Sequence, residues 1–144
     1  MDIVEHVWVI IGNGQKEIVM DQTKQLNEAI TSIYSISIKI TEIVNDIQYH
    51  ITNHLDDMNQ SYDCVCDKEV MNQLDATQSF VHFIPTNDKL TIEVHATCGE
   101  YLNLGVYLII LQANLHKMVL NVMLENPDTI ADYPEEYKYF KSIL

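Results

Sequence analysis

The sequence predicts an α+β fold in which an antiparallel sheet from two β-hairpins packs against two long helices and a C-terminal helical tail. Two β-branched segments are each followed by a turn signal and a returning segment. Two long stretches place apolar residues at helical spacing, and no Gly or Pro occurs from Gln15 to Ile84. The 144 residues are predicted to form a single domain, 1–144, large enough to bury a core without disulfides.

The first hairpin is predicted from Val4–Ile11 and Lys16–Met20, which are rich in β-branched residues. Gly12-Asn13-Gly14 lies between them, and we expect Asn13-Gly14 to form the turn. Asp21 and Thr23 are the candidate N-caps of the helix that follows.

The strongest pattern is an apolar heptad between Leu26 and Met58. Eight of its ten seam positions are apolar, and the two polar ones are Ser37 and His54. Spacings of 3 and 4 in alternation predict a helix that buries a narrow stripe against another helix. The β-branched alternation of Ile36–Thr41 also fits a strand, so the sequence leaves helix or strand open at residues 33–41. We favour a continuous helix because neither flank contains a break.

A helix over this span would be about 50 Å long. A compact chain of this size has a radius of gyration of about 14–15 Å, so its diameter is well below that length. The helix is therefore expected to bend, break, or protrude and pack on a second copy. The last of these outcomes predicts a homodimer, which is the expected assembly.

The polar run Asp56–Asp67 is predicted to be a loop, and Asp67 is expected to cap a short helix reaching Gln78. The second hairpin is predicted from Ser79–Ile84 and Lys89–His95. With Asn87-Asp88 as its turn, Val81 and Phe83 oppose Val94 and Ile92, while His82 faces Glu93 on the open side.

A third helix is predicted at Glu100–Glu125, with one apolar face made by Leu104, Leu108, Leu111, Leu115, Val119 and Val122. Pro134 and Glu135 are expected to open a tail helix that is lined by Tyr133, Tyr137 and Phe140. Core packing is the favoured role of these aromatic residues, and a partner-docking edge is the alternative.

Charge restricts the classes of partner. The chain has 21 acidic residues against 8 lysines and no arginine, giving a formal charge of −13. Such a field repels nucleic acid and anionic membranes and attracts a basic protein partner. Cys64, Cys66 and Cys98 are odd in number and no signal peptide is evident, so we expect free thiols and a cytoplasmic location. No cofactor motif is found.

Two histidine patterns suggest chemistry without enforcing it. His50 and His54 are four residues apart, the spacing of helical metal pairs, and Asp57 could add a third ligand. His82, Glu93 and His95 could form an acid–base set on one sheet face. A structural or solvated role is favoured for each, so we expect no catalytic or metal residues.

Two further motifs are incomplete. Cys64-Val65-Cys66 is spaced by one residue rather than two, and there is no second cysteine pair. Asp57, Asn59, Ser61, Asp63 and Val65 match alternate positions of an EF-hand loop, but Tyr62 and Lys68 stand where Gly and Glu are required.

The leading hypothesis is a small acidic, non-enzymatic binding module that occludes a basic surface of a partner, as an inhibitor, immunity protein or chaperone does. The candidate partner-binding residues are Asp56, Asp57, Asp63, Asp67 and Glu69, which follow the long helix. Two alternatives remain open: a helix-mediated homo-oligomeric structural protein, and a small metal-dependent hydrolase using His50, His54, His82, Glu93 or His95.

Overall fold

The structure, a computed structural model, describes residues 5–11, 14–20, 23–87 and 89–142, with side chains from Leu26 onward. Five strands and five α-helices are described in this part of the chain. In chain order they are β1 (Glu5–Ile11), β2 (Gly14–Met20), α1 (Thr23–Thr52), β3 (Met58–Val65), α2 (Lys68–Gln73), β4 (Val81–Thr86), β5 (Lys89–Ala96), α3 (Tyr101–Glu125), α4 (Pro127–Asp132) and α5 (Pro134–Ser142).

The predicted α+β class is confirmed, with antiparallel strands, two long helices and a helical tail. The arrangement of the strands differs from the prediction in one respect. The two hairpins do not share a sheet: β1 and β2 form a two-stranded ribbon, whereas β4 and β5 join β3 in a three-stranded sheet of order β3-β5-β4. The ribbon instead lies against α3 through β1.

Strand β3 occupies the run that was predicted to be a loop. Its buried positions are Met58, Tyr62 and Cys64, and the residues between them are exposed. A half-buried strand needs an apolar residue only at alternate positions. The pattern was missed because Gln60 interrupts the alternation and because tyrosine and cysteine are only moderately apolar.

The second hairpin has the predicted register. Val81 pairs with Val94, Phe83 with Ile92, and His82 with Glu93. Asn87 has a φ of 49°, which is the left-handed conformation that a two-residue hairpin turn requires.

The first hairpin is shifted by one residue at its turn. Ile11 pairs with Gly14, so residues 12 and 13, rather than Asn13-Gly14, connect the strands. The turn residues themselves and the candidate cap Asp21 lie outside the described residues.

Helix α1 is continuous through residues 33–41, so the favoured helix is confirmed there. The helix is favoured over a strand here because helical spacing buries one whole heptad column. Its residues have exposed fractions of 7% or less and are Leu26, Ile33, Ile40 and Ile47. The helix ends at Thr52, two turns before the predicted seam does. Ile51 is 44% exposed, and His54 and Met58 lie beyond the helix.

The buried stripe of α1 is covered within the same chain. Helix α3 packs along it on one side and β3 on the other. Strand β3 runs antiparallel to the helix, since Tyr62 bonds to Asp46 and the amide of Asp67 bonds to Ser32. A second copy is therefore not needed to bury the heptad.

Helix α3 buries all six residues of its predicted face. The tail differs slightly from its prediction because α4 precedes α5, and Phe140 of α5 is fully buried against α1 and α3. Tyr133 and Tyr137 pack at the edge of this core and are partly buried.

We predict that Ile40→Ala lowers the free energy of unfolding by about 2–5 kcal/mol, because a fully buried isoleucine leaves a cavity when truncated. Ile51→Ala, a heptad position that is exposed, should change it by no more than about 0.5 kcal/mol. Urea denaturation of both variants measures the difference. Equal losses would show that the seam extends to the end of α1.

Candidate functional site

Acidic side chains border the C-terminal end of α1. Asp56 and Asp57 lie exposed in the connection from α1 to β3, and Glu42 and Asp46 lie on the preceding turns of the helix. Tyr62 of β3 donates a hydrogen bond to Asp46 across 2.6 Å. Burial raises the pKa of Tyr62, and the bond to Asp46 and the charges of Asp46 and Glu42 raise it further.

The same end of α1 touches the start of α3. The Tyr101 hydroxyl lies 3.2 Å from Nδ1 of His50. Burial raises the pKa of Tyr101, and Cys98, Asp57 and Asp56 add to that shift. The carboxylates from α1 and from the connection thus act on neighbouring tyrosines, and we call Glu42, Asp46, Asp56 and Asp57 the acidic rim.

Three exposed apolar side chains lie in the last turn and a half of α1 and just after it. Tyr49 is 60% exposed, Ile51 44% and Leu55 40%. Aromatic and aliphatic anchors ringed by polar groups are typical of protein-binding hot spots. The end of α1 therefore combines a negative field with apolar contact surface.

The five predicted partner-binding residues do not form one cluster. Asp56 and Asp57 precede β3, Asp63 lies within it, and Asp67 and Glu69 follow it. An extended strand rises about 3.3 Å per residue, so the two ends of the set lie about 30 Å apart. Asp63 accepts a 2.8 Å bond from Thr91 on the open sheet face.

Asp67 has a structural role in addition to its charge. Its carboxylate accepts a 3.0 Å bond from the amide of Glu69 and so caps α2, as predicted, although α2 ends at Gln73 rather than at Gln78. A surface depression of about 350 Å³ lies here. It is lined by Glu28, Asp67, Lys68, Glu69, Asn72 and Gln73.

The predicted helical pair of His50 and His54 is not formed. His54 lies beyond α1 with a φ of 53°. The His54 amide donates to the Ile51 carbonyl, and the Leu55 amide donates to the His50 carbonyl. This is the Schellman arrangement that ends many helices. His54 terminates the helix and does not share a face with His50.

The incomplete EF-hand pattern does not form a loop, because its candidate ligands lie on a strand. Asn59, Ser61, Asp63 and Val65 alternate along β3 instead of folding around a point. No group of three or more His, Cys, Asp or Glu side chains in the described part of the chain is arranged to hold a metal ion.

Cys64 and Cys66 are buried, whereas Cys98 is exposed. Burial is the main cause that raises the pKa of Cys64 to about 11 and that of Cys66 to about 12. Both thiols are therefore protonated at neutral pH and pack as small apolar groups rather than as nucleophiles.

His82, Glu93 and His95 do lie together on the open face of the sheet. Nε2 of His95 is 3.2 Å from Glu93, and the two histidine rings are 6.0 Å apart. His82 and His95 are exposed. The open face does not enclose these side chains, so it would not exclude water from a reaction. We therefore interpret the three residues as a cross-strand group on the surface and not as an acid–base site.

A polar cluster that the sequence did not reveal lies between α1, α3 and α5. Ser37, Gln112 and His116 are buried, and Tyr139 joins them from α5. Gln112 donates bonds to the Ser37 carbonyl (2.9 Å) and to Thr41 (2.8 Å). We call Ser37, Gln112, His116 and Tyr139 the core polar cluster.

The bonds of the core polar cluster fix its protons. Nδ1 of His116 lies 3.2 Å from the Phe140 carbonyl, which can only accept, so this nitrogen carries the proton of the neutral ring. Nε2 then accepts from the Ser37 hydroxyl. The Tyr139 hydroxyl, 3.0 Å from Ser37, is left to donate to the serine oxygen.

A serine hydroxyl bonded to a histidine whose other nitrogen is held is the arrangement of a nucleophilic pair. Ser37 and His116 are, however, 0% exposed, so no substrate reaches them in this fold. The core polar cluster instead fixes the register of three helices. The sequence places Ser37 in the heptad seam and Gln112 and His116 four residues apart, but neither pattern indicates that the two helices meet at these residues.

Comparison with protein-family models, with curated proteins and with solved structures gives no match to this chain. One described helical segment, Cys98–Glu125, is long and apolar enough to cross a membrane, but 61% of its apolar window is buried in the fold. A core helix passes the same test of length and composition.

We predict that His116 makes stability depend on pH. Burial lowers the pKa of His116 from its ordinary 6.5, against an opposing effect of the bond to Phe140. The unfolded chain therefore binds a proton more readily, so this contribution is complete above about pH 6.5 and is lost as the pH falls below it. The free energy of unfolding should fall less steeply from pH 7.5 to 5 in His116→Gln than in the wild type.

His54→Gln is the matched control, since it removes an exposed histidine and should retain the pH dependence of the wild type. Chemical denaturation at each pH measures all three proteins. If the free energy of unfolding changes with pH equally in His116→Gln and His54→Gln, His116 is not the group that makes stability depend on pH.

Proposed function

We propose that the protein is a small, non-enzymatic binding module that covers a basic surface of a protein partner, as an inhibitor, immunity protein or dedicated chaperone does. A cytoplasmic location is part of the proposal, supported by the three free cysteines. The observation that carries the proposal is the acidic rim together with exposed Tyr49 and Leu55 at the end of α1.

The charge of this region is almost unopposed. No lysine or arginine occurs between Lys39 and Lys68, while six acidic residues do. Lys39 forms a 3.0 Å ion pair with Glu42 at the margin of the rim, so Glu42 adds little to the field, which comes mainly from Asp46, Asp56 and Asp57. The remaining carboxylates attract a cationic partner over several ångströms and raise its association rate.

The apolar residues supply what charge alone does not. Charged rim groups mainly set the association rate, whereas buried aromatic and aliphatic anchors supply most of the affinity. Tyr49 projects from the last turns of α1, and its ring lies 6.3 Å from that of His50. A basic partner would cover Tyr49 while its lysines and arginines meet Asp56 and Asp57.

Of the five predicted residues, Asp56 and Asp57 are assigned to direct contact. Asp63 lies on the sheet face, and Asp67 and Glu69 lie at the far end of β3. Asp63 and Asp67 already accept hydrogen bonds within the chain, from Thr91 and from the amide of Glu69. The distant carboxylates contribute to the long-range field.

We expect Asp56→Lys/Asp57→Lys to lower the association rate with a basic partner about tenfold at low salt, and the difference from the wild type to shrink at high salt. Biolayer interferometry against a panel of basic globular proteins and lysine-rich peptides measures the rates. Tyr49→Ala should instead raise the dissociation rate, because it removes an anchor rather than a charge.

The matched control is Glu125→Lys/Asp132→Lys, which changes the net charge equally at two exposed positions outside the rim. It should keep most of the wild-type rate. If both double variants slow association equally, the effect is one of net charge and the proposed contact surface is wrong.

A further inference from the structure

Helix α3 exposes an apolar stripe on the side away from its core face. Leu102 is 73% exposed, Val106 48%, Ile109 53% and Ile110 47%. These residues are spaced by 4, 3 and 1, so they lie on one side of the helix over two turns. We call these four residues the α3 stripe. Contiguous apolar surface of this kind on a soluble fold usually marks an interaction site.

Gly105 is an independent sign that something approaches this helix closely. It lies within α3, three residues after Leu102 and four before Ile109, so all three share a side of the helix. A Cβ placed on Gly105 would meet nothing within 4 Å. Glycine is less favourable than alanine inside a helix, and no contact from the residues whose side chains are described, Leu26 onward, accounts for it.

Charge decides between the possible occupants. Residues 101–116 contain no Asp, Glu, Lys or Arg, although the whole chain carries −13. A basic partner would find no carboxylate on this stretch of the helix, and the field of the protein repels an anionic membrane. Two copies of the chain repel each other elsewhere on the surface, and they can approach where both are uncharged.

We propose that the α3 stripe is a self-association surface on which two copies pack about a twofold axis. The stripe of one copy lies along that of the other, and an apolar side chain fills the notch above the other copy's Gly105. Twofold contacts are self-complementary, and the uncharged stripe satisfies this requirement. The inference does not depend on the proposed function of the acidic rim.

This surface differs from the one that the heptad predicted. The seam of α1 is buried within the chain, whereas the α3 stripe is not. Contact over two helical turns buries less than the about 800 Å² per partner of a standard interface. A dissociation constant in the micromolar range is therefore expected.

Sedimentation velocity of the full chain, from roughly 1 to 100 μM, tests the proposal across the range in which a micromolar dimer forms. The wild type should shift from monomer to dimer, and Ile109→Asp should remain monomeric. Leu124→Asp is the matched control because it places the same charge at a 58% exposed leucine on the same helix, outside the stripe. It should dimerise like the wild type.

Gly105→Leu separates association from folding. The added side chain has open space within the chain and a better helix propensity, so thermal stability should hold or rise. Dimer affinity should nevertheless fall by about tenfold or more, because the notch is filled. A loss of affinity together with retained stability is not produced by damage to the fold.

Three results would overturn the proposal. One is a wild type that stays monomeric at every concentration, and another is a dimer that Ile109→Asp leaves intact. The third is a monomeric wild type that floats with anionic or zwitterionic vesicles and loses this binding in Ile109→Asp, which would assign the stripe to a lipid surface.

Discussion

The packing of α1 against α3 is the contact on which the rest of the structure depends. The buried stripe of α1 is covered along its length by α3 and β3, and Ser37, Gln112 and His116 bond to one another inside that contact. Buried polar groups are costly when left without partners, so a sliding of either helix would be penalised at each of these bonds. Apolar packing stabilises the helix pair, and the polar bonds specify its register.

This arrangement determines which surfaces remain for interaction. Because α1 uses its apolar side internally, its other side carries Glu42, Asp46 and Tyr49, and Asp56 and Asp57 of the acidic rim follow in the connection to β3. Because α3 has core contacts on its other sides, the α3 stripe is left uncovered and uncharged. The protein thus has one surface suited to a cationic protein and another suited to an uncharged, apolar contact, and the two functions assigned to them are separate proposals.

The parts of the fold that the sequence predicted well are those where one physical signal dominates. Helices α1 and α3 follow from long 3-and-4 spacing, and the β4–β5 register follows from its two-residue turn. Strand β3 was missed because its exposed positions are polar, and its buried positions include Tyr62 and Cys64, which are weak hydrophobic signals. The five predicted partner-binding residues were expected to lie together in a loop, but the extended strand β3 separates them.

The core polar cluster could not be predicted because it joins positions far apart in the chain. Ser37 and His116 are 79 residues apart, and no local pattern indicates that one hydroxyl faces one imidazole. His50 and His54 show the opposite case, in which a suggestive local spacing is cancelled when the helix ends between them. Local spacing predicts a shared face only while the element continues.

The central claim, that α1 is buried by its own chain, is tested most directly by the concentration dependence of unfolding in the Ile109→Asp background. Folding that is complete within one chain gives a urea midpoint that stays constant over an about 100-fold range of protein concentration. A midpoint that rises with concentration in this variant would contradict the account, because it would mean that a second copy is needed to bury the seam of α1.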